Sequence, residues 1–531
     1  MIQNIYVMKA GLFVLVAIAL GAAARPRLAD ETIYKTALIY YVGATALLFG
    51  LANPMVILLA ILVFALILRP RDSVAAAALY PAFLFVIPAG FSWLVPFPGI
   101  NYLFDLNNAR ALAFAVLIPT AIAIIARREK GAGLSATDKW VIAYATLTFF
   151  LGFRAIDTFT NTARLRIYDL LGLPLVYFVL SRAPRTPRDA ELMLRGLFYA
   201  SMFLLSIGTI GAVQRWNHYF NIRLSSSFNA SAFRGGTFRI SGPMSPVDFG
   251  FWIAFAGACL LLLRDQFVRY RALAWAWLPA VILVMFSTGS RGVLLAGMVM
   301  VAAYLMFLLK TTSAKVLYVS SGVAGAFLLY QTLSATGFSS IDEYGTFAYR
   351  EELLKAAVRH VKAYPIFGNT DYATSPFFAD LVQGQGIIDF VNGFIQIVLP
   401  YGLVGLILFV GMIVSAWLGV VKAVSRIDRS TPDGAARWNR GVALGVALPG
   451  FCTVMATTSF VAYMYPTLLI LVACSAAYAR LADQIVAEDE AAEPAPPAPV
   501  EPAPQASPPA PDPERGFWPD GYVPGRTGWP S

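Results

Sequence analysis

About fifteen apolar runs, parted by short polar breaks, divide most of the chain. They fall at 8–24, 36–51, 54–68, 74–94, 110–126, 140–153, 167–181, 196–214, 247–263, 273–287, 293–309, 316–331, 393–421, 441–459 and 462–479. The runs are continuous rather than alternating, which argues against a β-barrel. With their flanks they approach the length that a helix needs to cross a bilayer. Backbone amides in lipid must bond within their own segment, so the pattern predicts an all-α, polytopic membrane helical bundle of about 14–15 transmembrane helices. The pair around Asn53-Pro54 also reads as one broken element. Run 8–24 precedes Arg25 and Arg27, which suits a retained first helix better than a cleaved signal.

The polar breaks set an orientation. Arg25/Arg27/Lys35, Arg69/Arg71, Arg127/Arg128/Lys130, Arg182/Arg185/Arg188, Arg264/Arg269/Arg271, Lys310/Lys315 and Lys422/Arg426/Arg429 occupy alternate breaks. Such clusters gather on the cytoplasmic side. The N-terminus is then outside and the C-terminus inside. The connections 95–109, 154–166, 215–246, 288–292, 332–392 and the short turn near Ala462 face out. Within 332–392, the residues Phe347, Leu353, Leu354, Ala357, Val358 and Val361 recur at helical spacing. They predict an amphipathic helix on or over the membrane that ends before Pro365, with His360 on its surface. The bundle is expected over 1–484. Residues 485–531, rich in Pro, Ala and acid, are expected to be a disordered cytoplasmic tail.

Composition agrees with a membrane protein: 58% of the 531 residues are hydrophobic, 13% are charged and the mean hydropathy is +0.66. The net charge of +10 reads as orientation rather than nucleic-acid binding. Cys259, Cys452 and Cys474 lie in apolar runs without metal-ligand spacing, and His218 and His360 form no cluster. No metal site, haem site or nucleotide loop is apparent, and no cofactor is expected.

The chemistry centres on Phe286-Ser287-Thr288-Gly289-Ser290-Arg291-Gly292, between two apolar runs. A guanidinium near hydrocarbon costs roughly 2.5–3.5 kcal/mol at a helix centre and less near the interface. Either Arg291 snorkels to the headgroups or an anionic ligand offsets the cost. The outer side should be poor in Lys and Arg, yet Arg154, Arg164, Arg166, Arg239, Arg291 and Arg350 fall there. Arginine presents a planar donor fork suited to phosphate oxygens and stays charged. Together these residues would seat a membrane-borne phosphate. Otherwise they pair with Asp157, Asp169, Asp248, Glu343 or Glu351 as structural bridges.

Several of these segments resemble one family. Ser287-Thr288-Gly289-Ser290-Arg291-Gly292 is similar to the "TGSRG" signature of the O-antigen ligase and polymerase superfamily. The segment from Phe233 through Arg239 to Pro243 resembles that family's arginine-bearing external loop. Tyr349-Arg350-Glu351-Glu352-Leu353 through Tyr364-Pro365-Ile366-Phe367-Gly368 resembles its loop helix. Asp389-Phe390-Val391-Asn392-Gly393-Phe394 with Tyr401-Gly402-Leu403-Val404-Gly405 resembles its Asn-Gly segment.

The resemblance implies a helical bundle of the GT-C kind acting on undecaprenyl-diphosphate-linked glycans at the outer face of a bacterial inner membrane. It needs no metal or nucleotide sugar. Carried over by motif position, Arg239, Arg291 and Arg350 would hold the donor diphosphate. The neighbouring Ser290 and Asn392, the outer-side Arg154, Arg164 and Arg166, and Asp248 are candidate substrate contacts. The family's ligases carry a histidine where this chain has Val391, so a repeat-unit polymerase of exopolysaccharide or O-antigen fits better. Asp389 is then the candidate base, with Asp248 as the alternative. Asp389 also reads as a helix cap or a salt-bridge partner. A ligase onto lipid A core, a transporter of the same lipid and a structural subunit remain the competing readings. A chain-length regulator or export complex is the expected protein partner.

Overall fold

A computed structural model gives the arrangement of the chain. It describes residues 2–23, 31–127, 133–155, 157–222, 233–234, 236–268, 271–311, 313–322, 324, 346–382 and 388–491. The architecture is the polytopic all-α bundle that the apolar runs predict. Eight helices are long and apolar enough to cross a membrane by length and composition: Ile5–Ala22, Thr32–Gly50, Asn108–Ala126, Pro187–Gln214, Pro246–Phe267, Arg291–Leu308, Gly393–Ser425 and Pro432–Thr457. Four shorter apolar helices accompany them: Pro54–Leu68, Ser73–Leu84, Arg271–Ser287 and Met464–Arg480. Ala136–Leu151 and Phe159–Arg182 fill the other two runs. The run 316–331 is helical as far as its residues are described.

Local sequence sets the ends of these helices. Asn53, Ser245 and Asn392 cap their helices by accepting from backbone N–H groups of the first turn. Ser135 with Asp138, and Thr186 with Asp189, form reciprocal capping boxes. Two features depart from the expectation. The run 74–94 stops being helical at Leu84, ahead of Pro88 and Gly90, and continues as irregular chain. Phe85, Val86 and Ile87 there are fully buried. Irregular backbone at this depth is tolerated only inside protein, and here Asn108 Nδ2 donates to Leu84 O at 2.8 Å and Tyr463 Oη to Ile87 O at 2.7 Å. The connection 95–109 is largely an antiparallel hairpin, Ser92–Phe97 with Ile100–Asn107, turning at Gly99 with φ +83°.

Close helix crossings hold the bundle together at glycines. A Cβ on Gly292 would lie 2.3 Å from Thr457 Oγ1, and one on Gly250 would lie 2.5 Å from Val293 Cγ2. Small residues let backbones approach in this way. Three helices, Pro246–Phe267, Arg291–Leu308 and Pro432–Thr457, are thereby locked against one another.

The amphipathic helix spans Thr346–Ala363 and ends before Pro365, as expected. Its buried face is not the whole predicted stripe: Leu353, Ala356, Ala357 and His360 are buried, whereas Leu354 and Val358 are 55% and 45% exposed. His360 is 0% exposed rather than on the surface, enclosed by Tyr364, Phe377 and Phe378. Burial lowers its pKa. The disordered tail expected from 485 is helical to Ala491, because Ala482–Ala491 is rich in Ala and Glu and free of Pro and Gly. Residues 492–531 lie outside the described residues.

Candidate active site

The turn 288–290 is built by the end of the Arg271–Ser287 helix. Thr288 Oγ1 donates back to Met285 O at 2.7 Å and accepts from Ser290 N at 3.4 Å. Gly289 takes φ +58°, a conformation that costs glycine nothing. Ser290 is the N-cap of the next helix but makes no side-chain cap bond. Arg291 is exposed, and no hydrogen bond or ion pair engages its guanidinium among the described residues.

Arg239 reaches the same turn from the segment before Pro246–Phe267. Its Nε donates to Thr288 O at 2.9 Å, while Ile240 N donates to Ser287 O at 2.9 Å. The Gly289 turn is also where Arg239 packs: a Cβ there would meet Arg239 Cγ at 3.1 Å.

The C-terminal end of Pro432–Thr457 draws in the remaining groups. Its last carbonyls have no partner within the helix and carry partial negative charge. Arg350 Nη2 donates to Thr457 O at 3.0 Å, and Asn392 Nδ2 donates to Ala456 O at 3.1 Å. Two residues further on, Ser459 Oγ donates to Asp389 Oδ1 at 2.6 Å, which also accepts from Val391 N at 3.2 Å. Asp389 Oδ2 has no donor among the described residues. Tyr349 Oη donates to the Asp389 carbonyl at 2.9 Å. Val391 itself adopts φ +25°, unusual for a β-branched residue.

Arg350 and Asn392 therefore bond at the end of Pro432–Thr457 and Asp389 just beyond it, while Gly292, packed on Thr457, brings the 288–291 turn and the Arg239 fastened to it next to that end. Arg350 and Asn392 have a structural task there as well, since both satisfy helix-end carbonyls.

The other candidates lie elsewhere. Arg154 donates to Phe367 O at 2.7 Å, Pro400 O at 3.1 Å and Gly368 O at 3.3 Å. It thereby holds the chain after the amphipathic helix against the kink at Gly402, where φ is +66°. Arg164 donates to Tyr102 O and Leu103 O, at 2.6 and 3.2 Å, and stacks over Tyr102; it pins the hairpin. Arg166 forms an ion pair with Asp169 at 2.9 Å and faces a cavity. Asp248 is 0% exposed. Its carboxylate accepts from Tyr463 N at 3.1 Å and Thr467 Oγ1 at 3.2 Å, which anchors the 458–463 turn from beneath.

Tyr349 and Ser459 are contacts that sequence reading did not supply. Tyr349 stands beside Arg350 in the loop-helix motif. Ser459 lies seventy positions from its partner and carries no local signal.

A family model described as O-Antigen ligase matches residues 275–410. That span includes the 288–290 turn, the amphipathic helix, Asp389 to Asn392 and the Gly402 kink. No curated protein matches the chain.

Proposed function

We propose, from the match of residues 275–410 to the O-Antigen ligase family model, that this chain is a member of the O-antigen ligase/polymerase superfamily and polymerises polyprenyl-diphosphate-linked oligosaccharide repeat units. The growing glycan leaves its carrier and joins the next lipid-linked unit, at the periplasmic face of a bacterial inner membrane. The observation that carries this reading is that the segments bearing Arg239, Arg291 and Arg350 are tied together through Thr288, the Gly292–Thr457 crossing and Thr457 O, with Asp389 held by Ser459 two residues on.

As the anomeric bond breaks, charge builds on the leaving diphosphate. Fixed cations there stabilise the transition state more than the ground state. Arg291 faces outward and is the one to grip phosphate directly. Arg239 and Arg350, each fastened to a backbone carbonyl, hold their charge in place at little cost of reorganisation. The step is assigned to side chains alone, without a metal ion. Asp389 Oδ2 receives the proton of the acceptor hydroxyl, while Ser459 and Val391 N hold Oδ1. Asn392 fixes the floor of the site against Ala456. Val391, in place of the histidine of the ligase pattern, favours a polymerase over a ligase.

The test is Arg291→Lys in purified protein reconstituted with undecaprenyl-diphosphate oligosaccharide. It keeps the charge and loses the fork, so chain elongation should fall about a hundredfold, the range of losing one transition-state donor, at normal protein level. Full elongation would remove Arg291 from the mechanism. Transfer onto lipid A core instead of onto a second repeat unit would make the protein a ligase.

A further inference from the structure

A cavity of about 580 Å³ opens between Ala136–Leu151, Phe159–Arg182 and the start of Gly393–Ser425. Its size is that of a small-molecule pocket, roughly 300–1,000 Å³. Its walls are unlike those of the arginine site. Tyr168, Tyr401 and Tyr465 line it with aromatic rings, Tyr144 stands almost wholly buried in its wall, and Gln396, Arg166 and Asp169 contribute polar groups. The Arg166–Asp169 pair is fixed by Arg166 Nη1 donating to Thr148 O at 3.1 Å, while Arg166 Nε is buried without a partner among the described residues. Arg110 closes the rim, its guanidinium 3.5 Å from the Tyr168 ring centroid.

Flat rings beside a carboxylate, an amide and a buried donor suit a molecule with apolar C–H faces and a belt of hydroxyls. That is the chemistry of a sugar ring. The cavity also borders the proposed reaction centre. Phe460 lines it, and its neighbour Ser459 binds Asp389; Gln396 lines it and accepts from Phe460 N.

We propose that this cavity seats the terminal sugar of the acceptor, beside the Ser459–Phe460 segment that holds Asp389. The proposal rests on the transferase reading for its role but not for its binding. The seated sugar offers one hydroxyl to Asp389. Its oxygen bonds to the donor's anomeric carbon, the bond from that carbon to the diphosphate oxygen breaks, and the electron pair leaves with the diphosphate. The hydroxyl proton passes to Asp389 Oδ2.

Gly152 provides the test. Its φ is −65°, which alanine adopts freely, but a Cβ there would lie 1.4 Å from Arg166 Nη1. Gly152→Ala should swing the guanidinium out of its seat and leave the helix intact. Saturation-transfer NMR on detergent-purified full-length protein would measure binding of a lipid-free oligosaccharide released from the host's own surface polysaccharide. Wild type and Arg291→Lys should bind alike, whereas Gly152→Ala should bind about tenfold more weakly. Asp169→Asn, isosteric and half-exposed, should show the same loss and serves if Gly152→Ala folds poorly. Absence of binding to wild type, unchanged binding in both cavity variants, or loss in Arg291→Lys alone would each overturn the seat. Binding without chain elongation would instead overturn the transferase reading and leave the seat standing.

Discussion

Asp248 offers the sharpest division between a chemical and an architectural role. It is fully buried, and its carboxylate takes two donors, Tyr463 N–H and Thr467 O–H. Truncation in Asp248→Ala leaves both donors without an acceptor. A buried donor left unsatisfied costs about 1–3 kcal/mol, so the pair costs about 2–6 kcal/mol. The turn they fasten carries Ser459, and through it Asp389. Asp248→Asn is the milder change. Its amide oxygen can still accept from Tyr463 N–H, but its NH₂ then points at Thr467 Oγ1. That oxygen already accepts from Trp252 Nε1 at 3.2 Å, so the hydroxyl must turn away, at about 1 kcal/mol. Thermal unfolding of detergent-purified protein should show a drop of several degrees for Asp248→Ala and a small one for Asp248→Asn. Elongation should follow the same order, with Asp248→Asn retaining most of it. An Asp248→Asn protein of unchanged melting temperature that makes no polymer would refute this account, because the carboxylate would then be taking part in the chemistry.

Gly292→Ala should separate the Arg291–Leu308 and Pro432–Thr457 helices, since its Cβ would lie 2.3 Å from Thr457 Oγ1; a lower melting temperature and lost elongation are expected. Val391→Gly should relieve a φ of +25° and raise stability or leave it unchanged, with elongation retained; a stability loss above 1 kcal/mol, an order-of-magnitude bound, would show that the valine side chain matters more than its backbone. His218, packed against Trp216 and Phe13, has its pKa pushed down to about 4 by burial. The unfolded chain therefore binds the proton first. Its contribution is complete above about pH 6.5 and is lost as the pH falls toward 4, at no more than about 1.4 kcal/mol per pH unit. Melting curves from pH 7 to 4 should decline less steeply for His218→Phe than for wild type.

The helices were legible because lipid-length apolar runs leave the backbone few options. Caps such as Ser135-Asp138 and Asn392 were written locally too. The hairpin at 92–107 is masked by the apolar pattern, which assigns its residues to a run end and a connection, although Pro98-Gly99 between aromatic and β-branched residues is a turn signal. The arginine set split for a geometric reason. Arg164 and Arg166 stand two positions apart on one helix, about 200° around its axis, so they cannot share a face. One pins the hairpin and the other faces the cavity. The segments of Arg239, Arg291 and Arg350 are tied to one another and to the end of Pro432–Thr457 by tertiary packing, and the motif resemblance rather than periodicity singles them out. The burial of His360 depended on Phe377 and Phe378 folding back over it, which no helical wheel reveals.

On the proposed function, the knot around Gly368 and Gly402 limits where a bulky polymer could pass. Each glycine sits where a Cβ would strike the other's strand of backbone, 2.3 Å from Leu399 O and from Ile366 O. Leu403 N and Val404 N donate to Pro365 O and Ile366 O, and Arg154 rivets the joint through three more carbonyls. A roof bolted down beside Tyr364 cannot lift from that edge. Traffic of carrier-bound chains would use the opposite eave, where the helix starts at Thr346 and Arg350 holds Thr457 O through an exposed bond.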